Sequence, residues 1–392
     1  MGRMRVLSID TWAGAMGRLF GDGSAAEDLR TALTTAGHTV SHFGINPFTE
    51  TLEYENRVWR FPGHYRREVG LRATDQPQAF IRSMRDLNRF ALPVVDVARS
   101  KADVIHLHTE LAMPAIEEIR RHTKIPMVYT QHTVNRVQLE LSRCNSVVAR
   151  LLVTMQDRAI ETADEWTAPS ALKSNSTRQP VIIPHAIGHR HPIQNRSAGR
   201  VPTILYVGRL TAIKGIDLLL DALDLVSRQF RLVVVGTGPR LEEYRQRASD
   251  LGIDALFTGQ VPREELWGIY AQADIFVCPT EFDTYNLTVD EAMASGLPVL
   301  ASEIDALRGR IESGSTGILC RRDKDTFAEC ITYLIDHPKE RRKLGSAAQK
   351  KLASRSIETA YAYLEVYSRA LEGAAELRSP LSTASSTAVL NA

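Results

Sequence analysis

The sequence lacks the features typical of disulfide-rich, membrane-spanning and nucleic-acid-binding proteins. It has four cysteines in 392 residues (Cys144, Cys278, Cys320 and Cys330), and they form neither a CxxC pair nor a metal-ligand spacing. No stretch approaches the roughly 18 consecutive apolar residues typical of a membrane span. The formal net charge of +2 argues against a dedicated nucleic-acid binder. The charged start MGRMRVLSID is unlike a signal peptide, so we expect a cytoplasmic protein without disulfides.

What the chain does have is an ordinary globular composition, 44% hydrophobic and 24% charged, over a length that favours two domains. Strand-like apolar runs alternate with helical periods up to about residue 184. A polar, aperiodic stretch, HRHPIQNRSAGR at 189–200, predicts a linker, and the alternation then restarts at Thr203. The pattern predicts an α/β fold of two doubly wound domains.

Three segments stand apart from this alternation. Asn46–Pro77 has no clean period and predicts a long functional loop. Phe80–Arg99 predicts a basic amphipathic helix that either covers a core or lies on an anionic membrane. Pro338–Leu371 predicts one continuous helix, and residues 376–392, rich in Ser, Thr and Ala, predict a disordered tail.

The most informative stretch runs from Ala273 to Val299. A buried strand at 275–277 is followed by a polar loop and a helix that begins near Thr288. A helix amino-terminus at the carboxyl end of a strand favours an anionic or hydroxylated ligand, and Asp283 and Glu291 flank the loop. The alternative is a capping box over Thr288–Glu291, in which Glu291 bonds back to the cap residue.

A second candidate anion site is the segment Gly208–Gly215 (GRLTAIKG). Lys214 precedes a helix, where the macrodipole disfavours a positive charge, and an anion held with Arg209 would remove that conflict. The alternative is that both cations are solvated surface charges. The loop Gly14–Gly23 lies between a predicted strand and the predicted helix 25–36, so it either faces a phosphate or is a plain connection.

Together these motifs resemble the retaining glycosyltransferases of family 4. The second half carries GRLTAIKG, GTGP, Ala273-Asp274 and the segment from Asp283 to EAMASG. The first half carries a glycine loop, AGHTV, DVIHLHT, VYTQH and IIPHAIG in the right order. The resemblance implies the GT-B architecture: two Rossmann-like doubly wound domains face across a cleft, and the C-terminal helix crosses back to the first domain. The implied domains are 1–190 (acceptor side, with helix 355–375 packing back) and 191–354 (nucleotide-sugar side).

The resemblance also implies roles for individual residues. The catalytic group would be His132, Asp283, Arg209 and Lys214, with the two cations on the donor diphosphate, Asp283 on the sugar hydroxyls and His132 near the anomeric carbon. The other donor-binding residues would be Gly21, Gly23, Val261, Tyr285, Asn286, Leu287, Thr288 and Glu291, with Glu291 on the ribose and backbone near Val261 on the base. Candidate acceptor residues are Asp22, Glu110 and Thr133.

Some positions depart from the family pattern. Asp283 stands where the family usually has glutamate, and Tyr285-Asn286 stands where it has a phenylalanine-glycine pair. His185 replaces the usual asparagine after IIP, and Asp305-Ala306 with Gly309 replaces the usual Gly-Gly before an acidic residue. The triplet Asp323-Lys324-Asp325 matches the metal-binding DxD of the other glycosyltransferase architecture, but its place before a helical period predicts a helix start.

The implied activity is front-face transfer with retention, in which a leaving phosphate oxygen takes the acceptor proton and neither a metal nor a cofactor is required. The donor would be a UDP-sugar such as UDP-GlcNAc. The acceptor would be a small polar molecule, for instance a cyclitol or aminocyclitol of secondary metabolism such as antibiotic biosynthesis. Three alternatives stay open: a nucleotide-sugar epimerase of the same architecture, a transferase that acts on a membrane lipid, and a binder of sugar nucleotides without activity. The sequence leaves the oligomeric state open.

Overall fold

The computed structural model describes residues 2–12, 21–46, 53–55, 57–62, 85, 101–135, 147–171, 176–188 and 201–376. Two sheets dominate it, one in each half of the chain. The predicted linker at 189–200, most of Phe80–Arg99 and the tail beyond Glu376 lie outside the described residues. Among the helices that are described, none combines the length and hydropathy needed to cross a lipid bilayer.

The first sheet has eight strands in the order β3-β4-β2-β1-β5-β6-β7-β8. They are β1 (Arg5–Trp12), β2 (Thr39–Asn46), β3 (Glu53–Glu55), β4 (Val58–Pro62), β5 (Val104–Leu107), β6 (Met127–Thr130), β7 (Glu165–Ala168) and β8 (Val181–Ile182). The paired strands run parallel, except that β3 is antiparallel to β4. Helices α1 (Gly21–Thr35), α2 (Met113–His122) and α3 (Val147–Thr162) form the crossovers that are described.

The second sheet has six parallel strands in the order β11-β10-β9-β12-β13-β14. They are β9 (Thr203–Val207), β10 (Arg231–Val235), β11 (Ala255–Gly259), β12 (Ile275–Cys278), β13 (Val299–Ser302) and β14 (Ile318–Cys320). The helices that follow them are α4 (Ile216–Asp224), α5 (Leu241–Asp250), α6 (Arg263–Gln272), α7 (Leu287–Ala294), α8 (Lys324–Asp336) and α9 (Pro338–Lys351).

Strand β12 lies where the sequence predicts a buried strand, and β9 begins at Thr203, where the alternation restarts. Every residue of IFVC in β12 and VLAS in β13 is buried, because helices cover both faces of a parallel sheet. β9 has β10 on one side and β12 on the other, so the chain order reverses at this strand. In open α/β sheets a ligand crevice forms at such a point, beyond the carboxyl ends of the strands.

The last helix, α10 (Arg355–Glu376), returns to the first sheet, as the GT-B resemblance implies. Its buried face, which includes Tyr363 and Tyr367, packs in one core with Val6, Val104 and Val128 of the first sheet. The Tyr367 hydroxyl lies 2.7 Å from Nδ1 of His106 in β5. This helix therefore fastens the end of the second half onto the first.

Two sequence predictions are wrong. The predicted loop Asn46–Pro77 contains β3 and β4, because β4 pairs with β2 on one side and with β3 on the other, and this pairing, rather than a periodic sequence pattern, fixes the strands. The predicted single helix over Pro338–Leu371 is two helices, α9 and α10. The break falls at Leu352–Ser354, where Leu352 is buried and the chain turns toward the first sheet.

The packing of α9 against the end of α7 gives a test of the fold. A Cβ on Gly345 would lie 2.0 Å from the Gly296 carbonyl oxygen, whereas a Cβ on Gly268 in α6 would meet nothing within 4 Å. Gly345→Ala should lower the thermal midpoint, since overpacking costs about 1–3 kcal/mol. Gly268→Ala is the control and should raise the midpoint slightly, because alanine gains up to about 1 kcal/mol over glycine in a helix. A raised midpoint for both variants would contradict this packing.

Candidate active site

The candidate site begins where two loops of the second sheet meet, one after β9 and one after β12. Gly215 has φ 77°, and a Cβ there would lie 2.0 Å from the Pro279 carbonyl oxygen. The Glu281 N–H donates to the Ile213 carbonyl over 2.8 Å. Only glycine allows this close approach in a left-handed conformation, so the two loops are packed into one unit.

That unit brings together two residues that the sequence places 69 positions apart. Lys214 Nζ donates to Asp283 Oδ2 over 2.6 Å, and the side chains are 21% and 14% exposed. The Thr284 N–H donates to Asp283 Oδ1 over 2.9 Å. Burial alone would raise the pKa of Asp283, but Lys214 and the N–H groups of Thr284 and Tyr285 hold it below its usual value. Asp283 is therefore an ionised carboxylate, and it neutralises the charge that the sequence marks as misplaced.

Asn286 explains one departure from the family pattern. It has φ 66° and ψ 82°, a left-handed conformation that asparagine tolerates better than most residues other than glycine. Its side chain donates to Cys278 Sγ over 3.1 Å and accepts from the Thr288 hydroxyl over 2.7 Å. Asparagine thus occupies the usual glycine position, and α7 begins directly after it at Leu287.

Tyr285 points away from the loop surface into a buried ionic cluster. Its hydroxyl donates to Asp290 over 2.5 Å and accepts from Arg355 over 3.1 Å. The Arg310 guanidinium lies 3.7 Å from the centre of the Tyr285 ring and donates to the Tyr285 and Asn286 carbonyls. Burial, with Asp290 beside it, raises the pKa of Tyr285. The Tyr285 side chain is therefore turned away from the predicted contact with a donor, and the Tyr285 N–H donates to Asp283.

The capping box at Thr288–Glu291 is wrong. The N-cap position of α7 is Asn286 rather than Thr288, and the Asn286 side chain makes no capping hydrogen bond. The Glu291 carboxylate instead accepts from Arg263 over 3.1 Å at Oε1 and from the Tyr270 hydroxyl over 3.0 Å at Oε2. Burial raises the pKa of Glu291 above its usual value. Two side chains of α6 therefore hold Glu291, and of the two interpretations of this residue only the contact with a ligand remains as a prediction.

The first domain meets the same loop through His132. The Thr284 hydroxyl donates to the His132 carbonyl over 2.9 Å, and the Ser170 hydroxyl donates to the Thr284 carbonyl. The His132 ring lies between two others: Nε2 is 3.1 Å from His108 Nδ1, and the His185 ring stacks at 5.1 Å. Burial holds the pKa values of His108 and His185 well below the usual range. Those two imidazoles are therefore neutral near pH 7.

Arg209 and Val261 lie at the same edge of the second sheet. Arg209 follows β9, where its carbonyl accepts from the Tyr206 hydroxyl over 3.1 Å. Val261 is half-buried between β11 and α6, packed against the core on that face of the sheet. Each therefore follows a strand of this sheet at its carboxyl end.

The structure brings two of the three predicted acceptor residues together. Glu110 accepts from Asn135 Nδ2 over 2.6 Å and from the Tyr129 hydroxyl over 3.2 Å. The Thr133 hydroxyl donates to Asn135 Oδ1 over 3.3 Å, so Asn135 links the pair. The side chain of the third, Asp22, lies outside the described atoms. Gly21 and Gly23 belong to the first turn of α1 rather than to the predicted loop.

The triplet at 323–325 starts a helix, as the sequence predicts. Asp323 caps α8, where its carboxylate accepts from the Thr326 N–H over 2.9 Å. Among the residues that the structure describes, no group of three or more His, Cys, Asp or Glu is placed to hold a metal ion.

Sequence reasoning missed two arginines that organise the site, Arg263 and Arg310. A signal for Arg263 was present, since it is a cation in the first turn of a helix, the same conflict that singled out Lys214. No comparable signal marks Arg310, because its partners Tyr285, Asn286 and Asp290 lie 20 or more residues away on another element.

The chain is similar in sequence to known proteins along both halves. The family described as "Glycosyltransferase Family 4" matches residues 21–179, and "Glycosyl transferases group 1" matches residues 190–351. A D-inositol 3-phosphate glycosyltransferase of Frankia alni is 30% identical over 71% of this chain and 79% of its own length. The protein of that name from Nocardia farcinica is 29% identical over 69% of this chain and 67% of its own length.

Solved structures agree on the fold. Sucrose-phosphate synthase from Thermosynechococcus elongatus superposes with a TM-score of 0.72 at 20% identity, over 93% of this chain and all of that one. Anabaena Alr3699/HepE in complex with UDP and glucose superposes with a TM-score of 0.70 at 19% identity over the same shares. Both sequence matches and both superpositions span the two halves of the chain. The chain belongs to the family 4 glycosyltransferases, the group 1 enzymes of GT-B architecture, and transfers sugar from a nucleotide-sugar donor.

Proposed function

We propose that the chain transfers a hexose-type sugar from a UDP-sugar to a hydroxyl of a small polar cyclitol, with retention of configuration and without a metal. The observation that carries the proposal is the contact between Lys214 and Asp283 beside the amino-terminus of α7 and the backbone of His132. It gathers a cation, a carboxylate and a helix amino-terminus at the domain interface. A diphosphate and a hydroxylated sugar need those three groups.

Lys214 can serve Asp283 and a phosphate together. An ammonium has three N–H donors, and Asp283 uses one of them. In our proposal the other two face the diphosphate, with Arg209 and the first-turn N–H groups of α7, including those of Leu287 and Thr288. Asp283 would then accept from sugar hydroxyls with its remaining lone pairs.

In the proposed reaction the bond between the anomeric carbon and the diphosphate breaks, and the acceptor oxygen bonds to the same face of that carbon. The negative charge that develops on the leaving UDP is stabilised by Lys214, Arg209 and the α7 dipole. The acceptor proton passes to a leaving phosphate oxygen, so the protein supplies no base. His132, with its ring fixed between His108 and His185, would contact the transferred sugar.

The names of relatives support the substrate classes. Both relatives described above are named D-inositol 3-phosphate glycosyltransferase, and inositol phosphate is a phosphorylated cyclitol. An inositol phosphate is therefore the first acceptor to test. The first donors are UDP-GlcNAc, from the sequence prediction, and UDP-glucose, because Anabaena Alr3699/HepE is solved in complex with UDP and glucose. On the acceptor side Glu110 and Thr133, joined through Asn135, are the candidate contacts.

The direct test measures UDP release and sugar transfer with each donor, with and without an inositol phosphate. We expect release that depends on the acceptor, and a product whose anomeric configuration by NMR matches that of the donor. An inverted product would contradict retention. A changed sugar in the donor-only reaction would indicate an epimerase, and tight UDP binding without any release would indicate a binder without activity.

Replacing Lys214 tests the diphosphate contact. Lys214→Ala should reduce turnover on the order of 10²–10³-fold, the usual loss for one preorganised donor to a developing charge. It should also lower the thermal midpoint, because Asp283 stays buried without its cation. The double variant with Asp283→Asn should recover the midpoint but not the turnover. The exposed Lys350→Ala is the control, and wild-type turnover in Lys214→Ala would refute the contact.

Removing divalent cations tests the metal-independence. With Lys214 and Arg209 supplying the positive charge, turnover in excess EDTA should stay within about twofold of the untreated rate, a difference of under half a kcal/mol in barrier. Added magnesium or manganese should not raise it. A large loss in EDTA that either ion restores would show that these two cations do not suffice.

A further inference from the structure

Three charged side chains are buried together outside the Lys214 contact: Arg263, Asp28 and Glu291. Arg263 binds Asp28 through two hydrogen bonds, Nη1 to Oδ1 over 2.9 Å and Nη2 to Oδ2 over 2.6 Å. Nη2 also donates to Glu291 Oε1 over 3.1 Å. The three side chains are 8%, 7% and 5% exposed. We call Arg263, Asp28 and Glu291 the ionic triad.

The ionic triad crosses the cleft. Asp28 lies on α1 of the first domain, whereas Arg263 and Glu291 lie on α6 and α7 of the second. Arg263 also donates to the Ser24 carbonyl on α1 over 3.3 Å. Asp28 accepts from the Gly188 N–H, next to the predicted linker, and a Cβ on Gly188 would lie 2.8 Å from Asp28 Oδ1. The triad therefore lies where both domains and the chain between them meet.

Arg263 forms one ion pair with Asp28 and one with Glu291, and a motion of the domains would affect only the first. Any separation of the domains breaks the pair with Asp28, because its partners move apart. The pair with Glu291 lies within the second domain and survives. A buried ion pair gains little net stability, but its fixed bidentate geometry specifies one relative position of its partners. A change at Asp28 therefore tests the relative orientation of the domains without altering any residue of the second domain.

The same contacts fix the rotamer of Glu291. Arg263 takes a lone pair of Oε1, and Tyr270 takes one of Oε2. An ionised carboxylate has about four acceptor sites, so about two remain, enough for two vicinal hydroxyls. Arg263 is thus placed to aim Glu291 without touching the ligand itself.

We propose that Arg263 is a positioning residue that couples the relative orientation of the domains, through Asp28, to the presentation of Glu291 to the donor ribose. The ribose part rests on the function proposed above, whereas the orientation part does not. When the pair with Asp28 is intact, the domains hold the donor-binding orientation and Glu291 is aimed. When the Arg263–Asp28 pair is broken, the two domains adopt several relative orientations, of which only one binds the donor.

The first experiment compares Asp28→Asn with wild type by small-angle X-ray scattering without nucleotide, and then measures UDP affinity and UDP-glucose kinetics. Asn cannot satisfy both guanidinium N–H groups, so we expect a larger radius of gyration. If the binding-competent fraction falls to about a tenth, UDP-glucose KM rises about tenfold while kcat stays within about threefold. Saturating UDP-glucose should return the radius of gyration to the wild-type value.

The control is Asp103→Asn. Asp103 also pairs with an arginine, Arg5, with Nη2–Oδ1 at 2.6 Å, but both partners lie in the first domain. This variant should leave the radius of gyration, KM and kcat at wild-type values. Should Asp28→Asn fail to fold, Arg263→Lys replaces it: it keeps the charge, loses the bidentate geometry, and should show the same expansion and at least the same rise in KM.

The outcomes separate this proposal from the proposed function. Wild-type scattering and wild-type KM for Asp28→Asn, or for Arg263→Lys if that variant is used, would overturn the coupling and leave the glycosyltransferase assignment intact. If the wild-type chain binds no UDP at all, the donor assignment fails, and the orientation claim is decided by the scattering alone. Expansion with an unchanged KM would overturn the link to Glu291.

Discussion

The contact on which the site depends is the hydrogen-bonded ion pair between the Lys214 ammonium and the Asp283 carboxylate. Each residue follows a different strand, β9 or β12, and the two strands are neighbours at the point where the order of the second sheet reverses. The left-handed Gly215 lets the two loops touch at Pro279. Without that approach the cation and the carboxylate would lie apart, and the proposed site for a diphosphate and a sugar would not form.

Around this pair, one buried arginine holds the backbone of the loop after β12 and another holds a neighbouring carboxylate. Arg310 donates to two consecutive carbonyls of the loop and stacks on Tyr285, which holds Asn286 in its left-handed conformation at the start of α7. Arg263 donates a hydrogen bond to the Glu291 carboxylate, and it also donates to Asp28 in the other domain. Arg310 and Arg263 thus stabilise the residues of the proposed donor site without themselves having to contact a ligand.

The sequence predicts most of the second sheet, because short apolar runs ended by glycine or proline are local signals; the donor-binding roles come from the family resemblance and stay predictions. The sequence does not predict the hydrogen bonds of Arg263 and Arg310 that stabilise these residues. Arg263 and Asp28 are separated by 235 positions, and no local period brings them together. Strands β3 and β4 are missed because they are short and their pairing, with each other and with β2, leaves no clean period in the sequence. The capping box fails because tertiary partners, Arg263 and Tyr270, take the carboxylate that a local rule assigns to the helix start.

The most direct test of the central claim is a crystal structure of the chain soaked with UDP-glucose. The account predicts the diphosphate between the domains, with a phosphate oxygen about 2.7–2.9 Å from Lys214 Nζ, the distance of a charge-assisted hydrogen bond. It also predicts the ribose hydroxyls on Glu291, with the Lys214–Asp283 contact retained. A nucleotide bound elsewhere on the second domain, with Lys214 still bonded to Asp283 alone, would contradict the account.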